Sequence, residues 1–190
     1  MSSRTELLNA SIQRSAAAIT SLADQVATLD TLCDTVIGAL SRGNKLLTLG
    51  HGGSAADALH MSEELVGRFD ADRRPLPAVC LAADPTLMTC ILNDYGFAEI
   101  FPRQIDALGQ AGDVLVIFST SGNGDGLERA ARMASQKKMT SIGLLGKGGG
   151  SVASMVDHAL VVDSAETARI QEVHTLILHL ILEAVDRQFV

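Results

Sequence analysis

Residues 113–123 read Asp113-Val114-Leu115-Val116-Ile117-Phe118-Ser119-Thr120-Ser121-Gly122-Asn123, the most informative stretch of the chain. Its first half is a continuous apolar run, which predicts a buried strand, and the residues that follow, from 127 to 134, predict a helix. Three adjacent hydroxyl side chains and a Gly-Asn pair therefore lie at a strand-to-helix turn. The amino end of a helix offers free N–H groups and a partial positive charge, so this turn suits a phosphate group.

Strands and helices alternate along the chain. We expect five strands, at residues 45–49, 77–81, 113–118, 140–145 and 158–162. The clearest helices are predicted at 54–68, 125–138 and 167–188, with a short one at 151–156 and two more within 4–42, separated near Leu29 and Asp30. Apolar strands separated by helices are typical of a parallel sheet covered on both faces, whose ligands bind beyond the carboxyl ends of the strands.

The composition argues against several classes of protein. Of the 190 residues 47% are apolar, the mean hydropathy is +0.24 and the net charge is −7. An acidic chain is not expected to bind nucleic acid, and no apolar run reaches the roughly 20 residues of a membrane helix. The high apolar content instead predicts a buried interface between subunits. Cys33, Cys80 and Cys90 lack Cys-x-x-Cys spacing and no signal peptide is visible, which predicts reduced thiols in a cytoplasmic protein.

Two glycine-rich turns have competing interpretations. Gly50-x-Gly52-x-x-Ala55 matches a relaxed dinucleotide-binding fingerprint, but Asp84 lies 34 residues after Gly50, where an acidic residue is expected after about 20. A tight strand–helix connection is the simpler interpretation. The segment around Lys147 is not a phosphate-binding P-loop, because Ser141 stands at the first glycine position and Gly148 follows the lysine.

Polar side chains on two predicted helices form a second candidate feature. His60 and Glu64 share one helix face, and Gln171 and His179 lie two turns apart on the last helix, about 80° apart around its axis. A histidine in such an apolar helix is either a satisfied core residue or a ligand, and the residues alone leave both open. The four side chains could hold a divalent metal, zinc by preference, if the fold or a neighbouring subunit brings the helices together.

A further segment, Asn93-Asp94-Tyr95-Gly96-Phe97, is either a turn signal or a set of polar contacts for a polyol. Together with the segments 52–64, 119–123 and 169–179, it resembles the sugar isomerase (SIS) domain family and, within it, the phosphoheptose isomerases. The resemblance covers 1–190 as one domain with a helical segment at 1–42. It implies a three-layer αβα fold, with a five-stranded parallel sheet in flavodoxin-like order and extra N-terminal helices.

The resemblance also implies the residues of a site. The substrate would contact His51, Gly52, Gly53, Ser54, Glu64, Asn93, Asp94, Ser119, Thr120, Ser121, Gly124 and Gln171, with the three hydroxyl residues on the phosphate. One zinc ion per subunit would be bound by His60, Glu64, Gln171 and His179. We assign Glu64 as the catalytic base and His179 as its acid partner. The chain departs from the family at His51, usually Asn, at Gly124, often Ser, and at Ala168, an Asp in some members.

The implied activity is the isomerisation of sedoheptulose 7-phosphate to D-glycero-D-manno-heptose 7-phosphate by metal-assisted proton transfer. In the family this step opens heptose nucleotide biosynthesis for lipopolysaccharide or other surface glycans, and the enzyme is a homotetramer with shared active sites. Two alternatives stay open: a non-catalytic protein resembling the one that associates with the bacterial replication initiator, and a sugar-phosphate sensor. The first of these lacks the last histidine, so His179 favours the enzyme.

Overall fold

The computed structural model describes residues 3–190. Five parallel strands form one sheet in the order β2-β1-β3-β4-β5, which confirms the expected flavodoxin-like order. The strands are β1 (Leu46–Gly50), β2 (Ala78–Cys80), β3 (Val114–Ser119), β4 (Thr140–Gly146) and β5 (His158–Val162). The helices are α1 (Arg4–Ser21), α2 (Val26–Ser41), α3 (Gly53–Val66), α4 (Pro85–Tyr95), α5 (Ile100–Leu108), α6 (Asp125–Gln136) and α7 (Thr167–Phe189).

The alternation of side chains along each strand divides the core into two layers. Val114, Val116 and Phe118 of β3 point to the face covered by α2, α3 and α7, whereas Leu115 and Ile117 point to the face covered by α5 and α6. Both sets are fully or almost fully buried. The β3 run is therefore apolar without interruption because both of its faces are covered, as expected for a parallel sheet.

The N-terminal helices differ from the expectation at their junction. The chain breaks at a 3₁₀ turn, Leu22–Gln25, and not near Leu29 and Asp30, which lie inside α2. Leu29 shares the buried face of α2 with Leu32 and Val36, so the packed face continues through the predicted break. At the actual junction, the Gln25 side chain donates a hydrogen bond to the Val161 carbonyl at 3.0 Å.

The carboxyl ends of β1, β3 and β4 carry the loops that matter for function. β1 leads into α3, β3 leads into α6, and β4 leads into a glycine-rich loop at residues 146–150. The short helix expected at 151–156 is only a 3₁₀ turn, Val152–Ser154. Within residues 3–190, no helix is both long enough and apolar enough to cross a bilayer.

Candidate active site

The loop after β3, residues 119–124, is shaped by its own hydroxyl and amide groups. The Gly122 amide donates to Ser119 Oγ at 3.0 Å, and the Asn123 amide donates to Ser121 Oγ at 3.3 Å. Gly124 precedes α6 and offers no side chain to cap its first amides. The first amides of α6 are therefore left without a side-chain cap, which suits an anion. Two carboxylates, Asp125 and Glu128, lie in the same first turn, where they accept hydrogen bonds from Arg129 and Ser151. We call residues 119–124 the phosphate loop.

The glycine-rich loop after β4 packs against the phosphate loop and forms hydrogen bonds with it. Gly122 has φ of +62°, and a Cβ atom there would collide with the Gly149 carbonyl oxygen. The Val152 amide donates to the Gly122 carbonyl at 2.9 Å, and the Ser151 amide donates to Asn123 Oδ1 at 3.1 Å. Position 122 consequently requires glycine both for its backbone conformation and for the close approach of the two loops.

The first turn of α3 approaches the phosphate loop from the neighbouring strand. A cavity of about 140 Å³ lies between them, lined by His51, Ser54, Phe118, Ser119, Thr120, Ser121, Asn123 and Leu127. Gly52 has φ of +58° and stands just before α3, and the Ser54 amide donates to the His51 carbonyl at 3.1 Å. The structure thus brings His51, Ser54 and the three hydroxyl residues of the phosphate loop around one cavity, with Gly52 and Gly53 at its edge.

His51 is held by aromatic rings. Its ring stacks on Phe97 with centroids 4.8 Å apart and lies 4.9 Å from Phe101. Burial lowers the pKa of His51, so the imidazole is neutral at physiological pH. Within residues 3–190 its Nε2 atom is buried without a hydrogen-bond partner. Sequence reasoning did not find this aromatic packing, since Phe97 and Phe101 are more than 40 positions away and nothing in their local sequence indicates a contact with His51.

Asn93 and Asp94 lie in the last turn of α4 and are exposed. Asn93 Nδ2 donates to Asp94 Oδ1 at 2.8 Å. Gly96, with φ of +89°, then turns the chain so that Phe97 reaches His51. The structure therefore places this pair beside the segment that packs on the cavity, without a hydrogen bond to the phosphate loop among the described residues.

The second predicted feature lies where α3 packs against α7. The two helices run in parallel: Gln171 contacts Gly53, Thr175 Oγ1 donates to Asp57 Oδ1 at 2.8 Å, and the His179 ring lies 5.1 Å from the His60 ring. We call this row of polar contacts the α3–α7 seam. It brings His179 of α7 beside His60 of α3, an approach that the hypothesis of a shared metal site requires.

A cluster of nitrogen and carboxylate groups forms at one end of the seam. His60 Nε2 lies 3.3 Å from Glu64 Oε1, and the ligand atoms of His60, Glu63 and Glu64 all lie within 4.8 Å of one another. Imidazole nitrogen and carboxylate oxygen are donors that zinc accepts, so these residues fit a divalent metal. Glu63 was absent from the predicted ligands, although its i+3 spacing from His60 places it on the same helix face.

Gln171 lies apart from this cluster along the seam. Its side-chain amide rests against Gly53, whereas His179, eight residues later, lies beside His60. A separation of eight residues corresponds to about 12 Å along a helix axis. The seam therefore presents Gln171 beside Gly53 at the start of α3 and His179 beside His60 further along it.

Comparison with known proteins identifies the family of this chain. The SIS domain family matches residues 9–146 of the chain. The chain is 47% identical over 152 residues to the phosphoheptose isomerase of Pelobacter propionicus, which covers 80% of each protein. This chain belongs to the phosphoheptose isomerase family of SIS-domain proteins. As a member of that family it is an isomerase.

Solved structures of phosphoheptose isomerases resemble this family member over nearly its whole length. The structure from Francisella tularensis gives a TM-score of 0.94 at 32% identity and covers 98% of this chain and 100% of that one. The structure from Neisseria gonorrhoeae gives 0.92 at 37% identity, with 97% and 100% covered. The three-layer αβα fold, including the N-terminal helices, is thus a property that this isomerase shares with its relatives.

Proposed function

We propose that the protein converts sedoheptulose 7-phosphate to D-glycero-D-manno-heptose 7-phosphate, the first step of heptose nucleotide biosynthesis for lipopolysaccharide or other surface glycans. The observation that carries this proposal is that α3 joins two kinds of site. Its first turn borders the phosphate loop, and its last turns carry His60 and Glu64 beside His179. A sugar phosphate isomerase needs both an anchor for the phosphate and an acid–base pair for the carbonyl end.

In this proposal the substrate is anchored through its phosphate. Ser119, Thr120 and Ser121, with the amides of the phosphate loop up to Gly124, bind the phosphate oxygens. The sugar is lined by His51, Gly52, Gly53, Ser54, Asn93, Asp94 and Gln171. Orientation at the phosphate end places C1 and C2 at the catalytic groups and lowers the entropy cost of the reaction.

Proton transfer between C1 and C2 passes through an enediol. Glu64 removes the proton as base, and its side chain is 17% exposed, which leaves it reachable from the surface while limiting water around it. His179 serves as the acid partner at the oxygen end. A zinc ion, one per subunit, would be held by His60, Glu64 and His179, with the predicted fourth ligand, Gln171, coming from a neighbouring subunit because it lies apart from them within one chain. The ion would supply Lewis-acid stabilisation of the developing negative charge.

We further propose a homotetramer with active sites shared between subunits. Leu7, Leu8 and Ile12 of α1 are each more than half exposed, which is unfavourable unless another surface covers them. The free cysteines support a reducing location, and we place the protein in the cytoplasm.

The test is aldose formation from sedoheptulose 7-phosphate, with and without a chelator, by the wild type, His179→Ala and the control His158→Ala. His158 begins β5, the edge strand on the side of the sheet away from β1 and β2. We expect turnover by the wild type and the control, loss of turnover in the chelator and loss in His179→Ala. Turnover that resists the chelator would remove the metal from the proposal, and no turnover by zinc-loaded wild type would contradict the function itself.

A further inference from the structure

Arg73 is a buried arginine in the loop between α3 and β2, residues 67–77. Its side chain has 0% exposure, and its Nε donates to Asp186 Oδ1 of α7 at 2.7 Å. Its Nη2 donates to the Glu64 carbonyl at 2.9 Å, and its Nη1 donates to the Leu65 carbonyl at 3.0 Å. One guanidinium group therefore joins the carboxyl end of α3 to the last turns of α7.

Asp186 completes the network from the other helix. Its Oδ2 accepts hydrogen bonds from the Asp70 and Ala71 amides at 3.0 and 3.2 Å. Burial by itself raises the pKa of Asp186, but the hydrogen bonds from Arg73 and these amides and the Arg73 charge lower it overall, so the carboxylate is ionised at neutral pH. The loop, α3 and α7 are thus fixed to one another by a single ion pair.

The network reaches both proposed catalytic residues. Glu64 lies two residues before the end of α3, where carbonyl groups lack helical partners and the backbone frays unless they are capped. Arg73 caps the carbonyl of Glu64 itself. On the other side, Phe69 directly precedes Asp70, and its ring lies 5.6 Å from the ring of His179.

We propose that Arg73 and Asp186 are positioning residues for the isomerisation, holding Glu64 through its backbone and His179 through Phe69. This inference rests on the proposed function of those two residues. A buried ion pair contributes little net stability compared with apolar side chains of similar size. Its hydrogen bonds to named backbone groups instead fix geometry, which is what an acid–base pair requires.

The chain contains a second buried carboxylate network, outside the α3–α7 seam, that serves as a control. Asp113 is 1% exposed, accepts a hydrogen bond from the Lys45 ammonium at 2.5 Å and accepts others from the Lys45 and Gln110 amides. Lys45 and Asp113 stand directly before β1 and β3, at the amino ends of the strands. Asp113→Asn therefore disrupts a similar carboxylate network whose hydrogen-bond partners, Asn44, Lys45 and Gln110, lie outside α3, α7 and the loop between α3 and β2.

The experiment compares Arg73→Lys and Asp186→Glu, which keep both charges, with Asp113→Asn and the wild type. We expect kcat to fall about 10- to 100-fold in the first two, with KM within about threefold because the phosphate loop is untouched. Asp113→Asn should lose thermal stability but keep kcat. Wild-type kcat in a folded Arg73→Lys or Asp186→Glu, verified by circular dichroism, would overturn the proposal.

Two additions keep the result decisive. If neither charged variant folds, the apolar pair Arg73→Met with Asp186→Leu is measured, and wild-type kcat in that folded protein would overturn the proposal while a reduced kcat supports it. If the wild type turns over no sedoheptulose 7-phosphate, the proposed function has failed, and zinc affinity becomes the readout, by competition with a chromophoric chelator. About tenfold weaker zinc binding in the variants supports positioning of Glu64, and unchanged binding contradicts it.

Discussion

The phosphate loop and the α3–α7 seam are built by different means. The loop is shaped by backbone amides, glycines and short hydroxyl side chains, and the glycine-rich loop after β4 packs directly against it. The seam is made of long side chains from two helices, and its His60 side chain is 35% exposed. The loop is thus fixed by local geometry, whereas the seam depends on how two helices and a connecting loop pack. Damage to the loop should weaken substrate binding, and damage to the seam should slow the chemical step.

The largest expected effect comes from Glu64→Gln, which tests whether the chemical step takes place at the α3–α7 seam. Glutamine keeps the size of the side chain but cannot accept the proton, so kcat should fall about 10³-fold with little change in KM. The measurement is steady-state kinetics of ketose-to-aldose conversion. Glu172→Gln is the control, since this exposed glutamate of α7 pairs with Arg169, has no assigned proton transfer or metal contact, and should retain kcat within about tenfold. A reversed order of the two variants would reassign the base.

Gly122→Ala should produce the next largest effect, which is on the phosphate loop and on substrate binding. The new Cβ would strain a backbone with φ of +62° and collide with the Gly149 carbonyl, so the two loops must separate. Gly148→Ala is the control, because Gly148 also has positive φ, +81°, but open space around its Cβ position. We expect about 1 kcal/mol of lost stability in Gly148→Ala and about 3 kcal/mol, with a raised KM, in Gly122→Ala. Equal losses, measured by urea unfolding, would show that the contact between the loops matters little.

The phosphate loop and the α3–α7 seam also differ in how well the sequence predicts them, because the loop is a local structure and the seam is not. The strands and the phosphate loop are local patterns: an apolar run followed by hydroxyl residues and glycine. The order of the strands was expected only from the resemblance to the SIS domain family, because it depends on pairing between distant segments. His60 and Glu64 are also a local pattern, and their proximity to each other was predictable from helical spacing. Their approach to His179 was anticipated only as a requirement on the fold, because it depends on how α3 packs against α7.

Contacts between distant segments could not be predicted from local sequence patterns. Arg73 and Asp186 are 113 positions apart, and each alone has the pattern of an ordinary surface charge. The break between the N-terminal helices was misplaced for a related reason: the residues of its true position, Leu22–Gln25, are held by a contact with β5. Local periodicity carries no information about such tertiary partners.

His174 lies on α7, next to the strand that leads into the phosphate loop. The third prediction concerns the effect of its titration on stability. Its Nε2 atom lies 3.3 Å from the Leu145 carbonyl and its ring is 6.0 Å from Phe118, just before the phosphate loop. Burial lowers the pKa of His174 to about 4, whereas an unfolded histidine titrates near pH 6.5. The unfolded chain therefore binds a proton first, and the folded protein loses stability as the pH falls from about 6.5 towards 4.

The size of this loss can be isolated with His174→Gln, which keeps a hydrogen-bond donor but does not titrate. Between pH 7 and pH 5 the wild type should lose about 2 kcal/mol more unfolding free energy than the variant. The measurement is urea unfolding at both pH values, and identical pH dependence of the two proteins would contradict a neutral, buried His174.

Ser119→Ala should have the smallest effect, and it tests whether the phosphate loop binds the substrate. Ser119 Oγ accepts the Gly122 amide hydrogen bond that shapes the phosphate loop, and it faces the cavity proposed for the phosphate. Loss of one hydrogen bond of about 1.4 kcal/mol corresponds to a tenfold rise in KM, with kcat within about threefold. Ser141→Ala is the control, because the Ser141 hydroxyl bonds Asp157 at 2.8 Å at the start of β4, away from the site. A KM that rises equally in both variants would mean that the serines act through the stability of the sheet, and the phosphate loop would lose its role as the anchor. A fall in kcat without a change in KM would instead move Ser119 to the chemical half of the site, together with Glu64 and His179.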